Sequence, residues 1–149
     1  MNVDRPSFAD TNVLVYALAA DDAVRAPVAQ ELLRQLMSTR WLRLSTQVLQ
    51  ELFVTLTRKA RVPLTVSQAI RYMDQLATFP VLAPDYTAIR DAAELSQSTK
   101  LAFWDALVLV AAARSGAKRL YTEDLNHGQI ILGVEVVNPF RKSPIQKPK

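Results

Sequence analysis

The sequence contains no cysteine and only one histidine, His127, among its 149 residues. The absence of cysteine excludes disulfide scaffolds, thiolate zinc sites, iron–sulfur clusters and cysteine nucleophiles. A single histidine excludes every mechanism that needs two imidazoles, together with most histidine-rich metal sites. Any metal site in this chain is therefore expected to rely mainly on oxygen ligands, and the composition fits a reducing compartment.

Glycine is scarce as well, with three residues at positions 116, 128 and 133. Neither the dinucleotide-binding pattern G-x-G-x-x-G nor a P-loop can be written with glycines at those positions. The longest apolar run, Ala106 to Ala113, is far shorter than the roughly 20 residues that span a bilayer. The first six residues lack the basic and then apolar pattern of a secretory signal. We therefore expect a cytoplasmic protein.

The remaining composition is that of one ordinary globular domain. Hydrophobic residues make up 50% of the chain and charged residues 21%, and a chain of this length can bury a core unaided. The net charge is +4, which is compatible with a polyanionic partner. We predict one domain over residues 1–140 and a basic, proline-punctuated tail over residues 141–149.

Short apolar stretches alternate with longer segments of helical periodicity. Val24, Val28, Leu32 and Leu36 recur at every fourth residue, which predicts an amphipathic helix. The stretch from 106 to 113 is apolar on every side and predicts a helix in the centre of the core. Such alternation indicates an α/β fold, a parallel sheet with helices on both faces. Sheets of this kind bind ligands beyond the carboxyl ends of their strands.

Four acidic residues stand at the starts of predicted helices or the ends of predicted strands. Asp10 closes the first strand, and Asp124 follows the strand from 120 to 122. Asp105 opens the most hydrophobic helix, and Glu51 lies one to two turns into the helix that begins near residue 45. Carboxylates packed together repel one another and are costly to desolvate, so a hard cation such as Mg²⁺ or Mn²⁺ would stabilise the group. This joint placement predicts a metal site suited to phosphodiester hydrolysis.

Each acid also has a purely structural explanation. Asp10 and Asp105 could cap the helices that they precede, because aspartate is a favoured N-cap residue. Glu51 could be a solvated helix residue, and Asp124 could serve a turn ahead of the glycine at position 128. None of the four positions decides the matter alone, and only their combination favours a metal site.

Four segments of the chain resemble, in order, the motifs of PIN-domain nucleases. These segments are FADTNVLVY at 8–16, QVLQELFV at 47–54, FWDAL at 103–107 and LYTEDLNHG at 120–128. The first is weak alone, whereas the four together at these spacings are specific. The resemblance covers residues from about 7 to 139, and it is greatest to the VapC-type ribonuclease toxins of toxin–antitoxin pairs.

The resemblance implies a PIN-like three-layer α/β/α sandwich around a mostly parallel sheet of four to five short strands. It implies that the matching acids bind Mg²⁺ or Mn²⁺ and hydrolyse RNA to 5′-phosphate and 3′-hydroxyl ends. It further implies a homodimer and a cognate antitoxin that occupies the site. Asn12 and Thr122 match positions that help to organise such a site. The implied catalytic and metal-binding residues are Asp10, Glu51, Asp105 and Asp124.

Basic and aromatic residues suggest how RNA would be held. Arg58 and Lys59 lie two turns beyond Glu51 on the predicted helix and are our predicted phosphate contacts. Trp41 and Trp104 are expected in the core or in a subunit interface rather than under nucleobases. The alternative function is a degenerate PIN-like module that binds RNA or protein without cleaving it.

Overall fold

The computed structural model describes residues 2–141, so residues 142–149 of the predicted basic tail lie outside the described residues. Strands and helices alternate along this part of the chain, as the sequence predicts. The strands are β1 (Ser7–Ala9), β2 (Leu42–Ser45), β3 (Val81–Leu82), β4 (Arg119–Tyr121), β5 (Ile130–Ile131) and β6 (Val134–Val137). The helices are α1 (Thr11–Ala19), α2 (Arg25–Ser38), α3 (Thr46–Val54), α4 (Val66–Leu76), α5 (Tyr86–Thr99) and α6 (Phe103–Arg114), and a π-helical turn, Thr55–Lys59, follows α3.

The strands form one sheet in the order β3-β2-β1-β4-β6-β5. Every neighbouring pair is parallel except β5 and β6, which form an antiparallel hairpin. The predicted mostly parallel sheet is confirmed, with six strands where four to five were expected. The additional strand, β5, has two residues and turns into β6 through Leu132 and Gly133, both at positive φ. A leucine at the first of these positions gives none of the Asn-Gly or Asp-Gly signal by which such hairpins are found in sequences.

The sheet reverses its direction of growth next to β1. From β1 the chain adds β2 and β3 on one side, and then returns to place β4 and β6 on the other. In an open parallel sheet, this reversal creates a crevice beyond the carboxyl ends of the two central strands. The crevice therefore lies where β1 runs into Asp10 and where β4 runs into Thr122.

The core packs helices against both the sheet and one another. Helix α6 is buried from Ala106 to Ala112, which confirms the predicted central helix. The stripe on α2 differs from the expected one, because the helix begins at Arg25 and leaves Val24 76% exposed. Leu32 and Leu36 of that stripe are fully buried. Within residues 2–141, no helix is both long and apolar enough to cross a membrane.

Candidate active site

Asp10 connects the end of β1 to the start of α1 and is only 6% exposed. It is the N-cap of α1, since its Oδ1 accepts a hydrogen bond of 2.8 Å from the backbone N–H of Thr11. Its Oδ2 accepts a second bond of 2.9 Å from the hydroxyl of Thr122. Burial raises the pKa of Asp10 to about 6 despite these two bonds, and the nearby Asp124 and Glu51 carboxylates add to the rise. The helix-capping explanation is thus correct for Asp10, but it leaves an expensive buried charge.

Asn12 and Thr122 connect Asp10 to Asp124. The Asn12 amide nitrogen donates to Thr122 Oγ1 and to Asp124 Oδ2, both at 3.1 Å. The backbone N–H of Asp124 also donates to Thr122 Oγ1 at 3.1 Å. Because the Thr122 oxygen already accepts two bonds, its own proton points to Asp10. The two carboxylates are therefore held by one network that spans the ends of β1 and β4.

Glu51 lies on the exposed side of α3, one turn after Gln47. Its Oε2 accepts a bond of 3.0 Å from the Thr11 hydroxyl, and its Oε1 accepts one of 3.0 Å from the Gln47 amide. The same Gln47 amide donates to the backbone carbonyl of Trp104 at 3.4 Å. Glu51 is therefore not a freely solvated helix residue, because Thr11 connects it to α1 and Gln47 connects it to the start of α6.

Asp105 stands in the first turn of α6 without capping that helix. The N-cap position belongs to Ala102, which makes no side-chain capping bond, so the capping explanation is wrong for Asp105. Burial raises the pKa of the Asp105 carboxyl, and the charges of Asp124 and Glu51 raise it further. Asp124 and Glu51 therefore lie near enough to both Asp10 and Asp105 to raise the pKa of each.

None of the four acids forms a salt bridge with another described residue, in contrast to their neighbour Glu123. That side chain accepts a bond of 2.6 Å from the Tyr16 hydroxyl and one of 3.2 Å from Arg25 Nε. The Arg25 guanidinium also lies 5.5 Å from the centre of the Tyr16 ring. Glu123 is thus engaged away from the crevice, whereas the adjacent Asp124 contacts Asn12 within it.

The four carboxylates do not form a closed set of metal ligands. Across residues 2–141, no three or more histidine, aspartate or glutamate side chains are grouped closely enough to hold an ion as they stand. Asp10 and Asp124 share one network, Glu51 belongs to a second, and Asp105 faces both only through space. Their all-oxygen chemistry nevertheless fits Mg²⁺ or Mn²⁺, because Mg²⁺ retains several waters and often takes only one or two carboxylates directly.

The two predicted RNA contacts differ in their position relative to the acids, and Trp104 does not lie in the core. Lys59 lines a cavity of about 420 Å³ together with Glu51 and Thr11, whereas Arg58 is exposed on the same turn and does not line it. Trp104 is 63% exposed, so the expectation that it belongs to the core is wrong. Its place in the first turn of α6, with the side chain outside the packed face, explains the difference.

Sequence reasoning missed the residues that position the acids. Thr11 and Gln47 lie within the quoted segments but were not predicted to contact Glu51. Both could be found only by placing α1 and α3 side by side, because Thr11 and Glu51 are 40 positions apart. Tyr16 and Arg25 were missed for the same reason, since their partner Glu123 follows β4.

A family model of the PIN domain matches residues 7–130. The chain belongs to the PIN-domain family. This assignment agrees with the sheet order and with the placement of the acids at the carboxyl ends of β1 and β4. No match was found among curated proteins.

Solved structures share this PIN fold over most of their length. A toxin–antitoxin complex from Klebsiella pneumoniae contains a chain that is 23% identical, with a TM-score of 0.65, covering 89% of this chain and 97% of the other. VapC20 of Mycobacterium tuberculosis, a toxin that cleaves the sarcin–ricin loop, is 21% identical with a TM-score of 0.61, covering 79% and 91%. PAE2754 from Pyrobaculum aerophilum is 23% identical with a TM-score of 0.56, covering 80% of each chain.

Proposed function

We propose that this PIN-domain protein is a Mg²⁺- or Mn²⁺-dependent endoribonuclease and the toxin of a type II toxin–antitoxin system. The observation that carries the proposal is the convergence of Asp10, Glu51, Asp105 and Asp124 at one sheet edge without a basic partner among the described residues. A pure RNA-binding surface gains nothing from clustered negative charge, because RNA is itself an anion. Membership of the PIN-domain family supports the same reading.

The four acids would hold the metal directly or through water, with Asn12 and Thr122 as positioning residues. A bound divalent ion lowers the pKa of water and offsets charge on a phosphodiester. Asn12 keeps the Asp124 oxygen in place, and the Thr122 hydroxyl fixes the orientation of Asp10. Thr11 and Gln47 orient Glu51 in the same way. Lys59 would contact an RNA phosphate beside Glu51, because both line the same cavity.

The partners proposed for this chain are a cognate antitoxin, a second copy of the chain and RNA. The antitoxin is supported by the Klebsiella pneumoniae structure, which is a toxin–antitoxin complex. RNA is supported by VapC20, which cleaves the sarcin–ricin loop. The homodimer and the cytoplasmic location stay predictions, and both are open to measurement by sedimentation and by fractionation.

Cleavage of RNA tests the proposed function. We expect wild-type protein to cleave RNA in Mn²⁺ or Mg²⁺ and not in EDTA, leaving 5′-phosphate ends. Asp10→Asn and Asp105→Asn should each lose more than the roughly 100-fold that removal of a supporting residue costs. Asp74→Asn is the matched control, because Asp74 is exposed on α4 and should retain activity.

Metal binding can be measured without cleavage. Mn²⁺ at 100 times its dissociation constant should raise the free energy of unfolding of the wild type by about 2.7 kcal/mol. The double variant Asp10→Asn/Asp105→Asn should show no such rise. RNA binding without cleavage in any metal, or an equal response of both proteins to Mn²⁺, would support the binding module instead.

A further inference from the structure

Trp104 is an exposed tryptophan that precedes one proposed metal ligand in sequence and is connected to another through Gln47. It immediately precedes Asp105 in the first turn of α6, and 63% of it is exposed. The second tryptophan, Trp41, precedes β2, and its carbonyl accepts a bond from Ser7 at the start of β1. Trp41 therefore lies at the amino ends of the strands, opposite the crevice. Only Trp104 is placed to contact a ligand of the acidic edge.

The backbone and ring of Trp104 are held rather than free. Its carbonyl accepts the 3.4 Å bond from the Gln47 amide, the same amide that holds Glu51 at 3.0 Å. Its ring meets the Phe103 ring edge to face, with centroids 5.2 Å apart and planes at 76°. Gln47 is only 6% exposed, and both bonds that connect Trp104 to Glu51 are partly buried. The backbone of Trp104 is thus fixed relative to Glu51, and its ring packs against Phe103.

The surroundings of Trp104 favour an RNA base over an apolar protein surface. The apolar cavity on α3, which Leu49, Phe53 and Val54 help to line, does not include Trp104, and an apolar partner would need a contiguous apolar patch around the indole. Glu51, which Gln47 also contacts, lines a cavity together with Lys59. The same edge of the sheet therefore offers a cation for a phosphate, acids for the metal and, through the backbone contact of Trp104 with Gln47, an exposed aromatic residue. A strand of RNA presents phosphates and bases at the same close spacing.

We propose that Trp104 is the stacking platform for an unpaired nucleobase next to the cleaved phosphodiester. This contact requires that the base be unpaired, because a base inside a duplex has no free face. This inference rests on the proposed nuclease function and adds to it a residue that contacts the base beside the cut.

Tryptophan fluorescence separates the two indoles. In an Asp10→Asn background, which should not cleave, Trp41→Phe leaves Trp104 as the only tryptophan and Trp104→Phe leaves Trp41. We expect a single-stranded oligouridylate to quench the emission of Trp104 and not that of Trp41. The same oligonucleotide annealed to its complement should quench neither. Binding of the labelled oligonucleotide, measured by anisotropy, without quenching of Trp104 would overturn the proposal.

Cleavage kinetics provide the second readout. Stacking on an aromatic side chain should make KM rise about tenfold or more in Trp104→Ala, with little change in Trp104→Tyr or Trp41→Phe. An unchanged KM in Trp104→Ala, beside normal wild-type cleavage, would refute the platform and leave the nuclease intact. Absence of wild-type cleavage with Trp104 still quenched would refute the nuclease alone. Dissociation of a dimer by Trp104→Ala, with RNA binding unchanged, would make the indole a subunit contact and refute the proposal.

Discussion

Replacing Asp10 by asparagine should change the sign of its effect on stability between pH 4 and pH 7 when no metal is present. Burial raises the pKa of Asp10 from 3.8 to about 6. Since this pKa is higher in the folded than in the unfolded state, the folded protein holds the proton more tightly, and stability falls as the pH rises through this interval. The shift corresponds to about 3 kcal/mol, because each tenfold change in proton affinity is worth about 1.4 kcal/mol.

Asp10→Asn removes both the cost of the buried charge at pH 7 and one hydrogen bond. An asparagine oxygen still accepts from the Thr11 N–H, but an amide nitrogen cannot accept from the Thr122 hydroxyl, which costs about 1 kcal/mol. At pH 7 in EDTA, Asp10→Asn should therefore be about 2 kcal/mol more stable than the wild type. Near pH 4, folded wild-type Asp10 is protonated but the unfolded chain is already partly ionised, so the variant should be only about 0.5 kcal/mol less stable.

Urea unfolding followed by circular dichroism at several pH values measures this difference. Asp85→Asn is the matched control, because Asp85 is also an N-cap, on α5, and is exposed. Hydrogen bonds from Ala88 and Thr87 and the charge of Arg114 lower the pKa of Asp85, so its charged form is stabilising. Asp85→Asn should thus lower stability at pH 7 and have less effect as the pH falls through the native pKa. A difference between Asp10→Asn and wild type that stays constant from pH 4.5 to pH 7 would refute the reasoning.

Two further substitutions test the positioning residues. Asn12→Ala removes the amide that holds Thr122 and Asp124 and should reduce kcat about 10- to 100-fold without unfolding the protein, as steady-state cleavage and circular dichroism would show; a kcat equal to wild type would contradict this role. Tyr16→Phe removes the hydroxyl bond to Glu123 and should lower the free energy of unfolding by about 1 kcal/mol in urea titrations, and no loss would mean that Arg25 alone holds this loop.

The parts of the fold that were predictable are those set by local pattern. Alternating apolar stretches indicated the parallel sheet, and the wholly apolar segment after Asp105 indicated the buried helix α6. The meeting of Asp10 with Asp124 depends on pairing between β1 and β4, whose register joins Ala9 to Tyr121. Local periodicity carries no information on a contact across more than a hundred residues. From the sequence, the two acids could be expected to meet only if β1 and β4 were neighbouring strands.

Side-chain environments were less predictable than the backbone. Asp105 was assigned a possible capping role because aspartate is common there, yet Ala102 occupies the N-cap. Trp104 was predicted in the core or in a subunit interface, and the first turn of α6 leaves it 63% exposed, which excludes the core. In both cases the exact residue at which α6 begins decides the environment of the side chain, and that residue cannot be read from the preferences of aspartate or tryptophan.

The pair Glu123 and Asp124 shows how this chain distributes its positive charge. Arg25 is close enough to the loop after β4 to form a salt bridge, and it forms one with Glu123 rather than with Asp124. Tyr16 also donates to Glu123, so one carboxylate of the pair stabilises the loop. Asp124 receives only the neutral amide of Asn12 from a side chain. The buried charge of Asp10, which belongs to the same network, lowers the stability of the metal-free protein at neutral pH, and a cation that binds there restores that free energy. The instability expected of the metal-free protein and its affinity for a divalent ion are therefore two measurements of the same interaction.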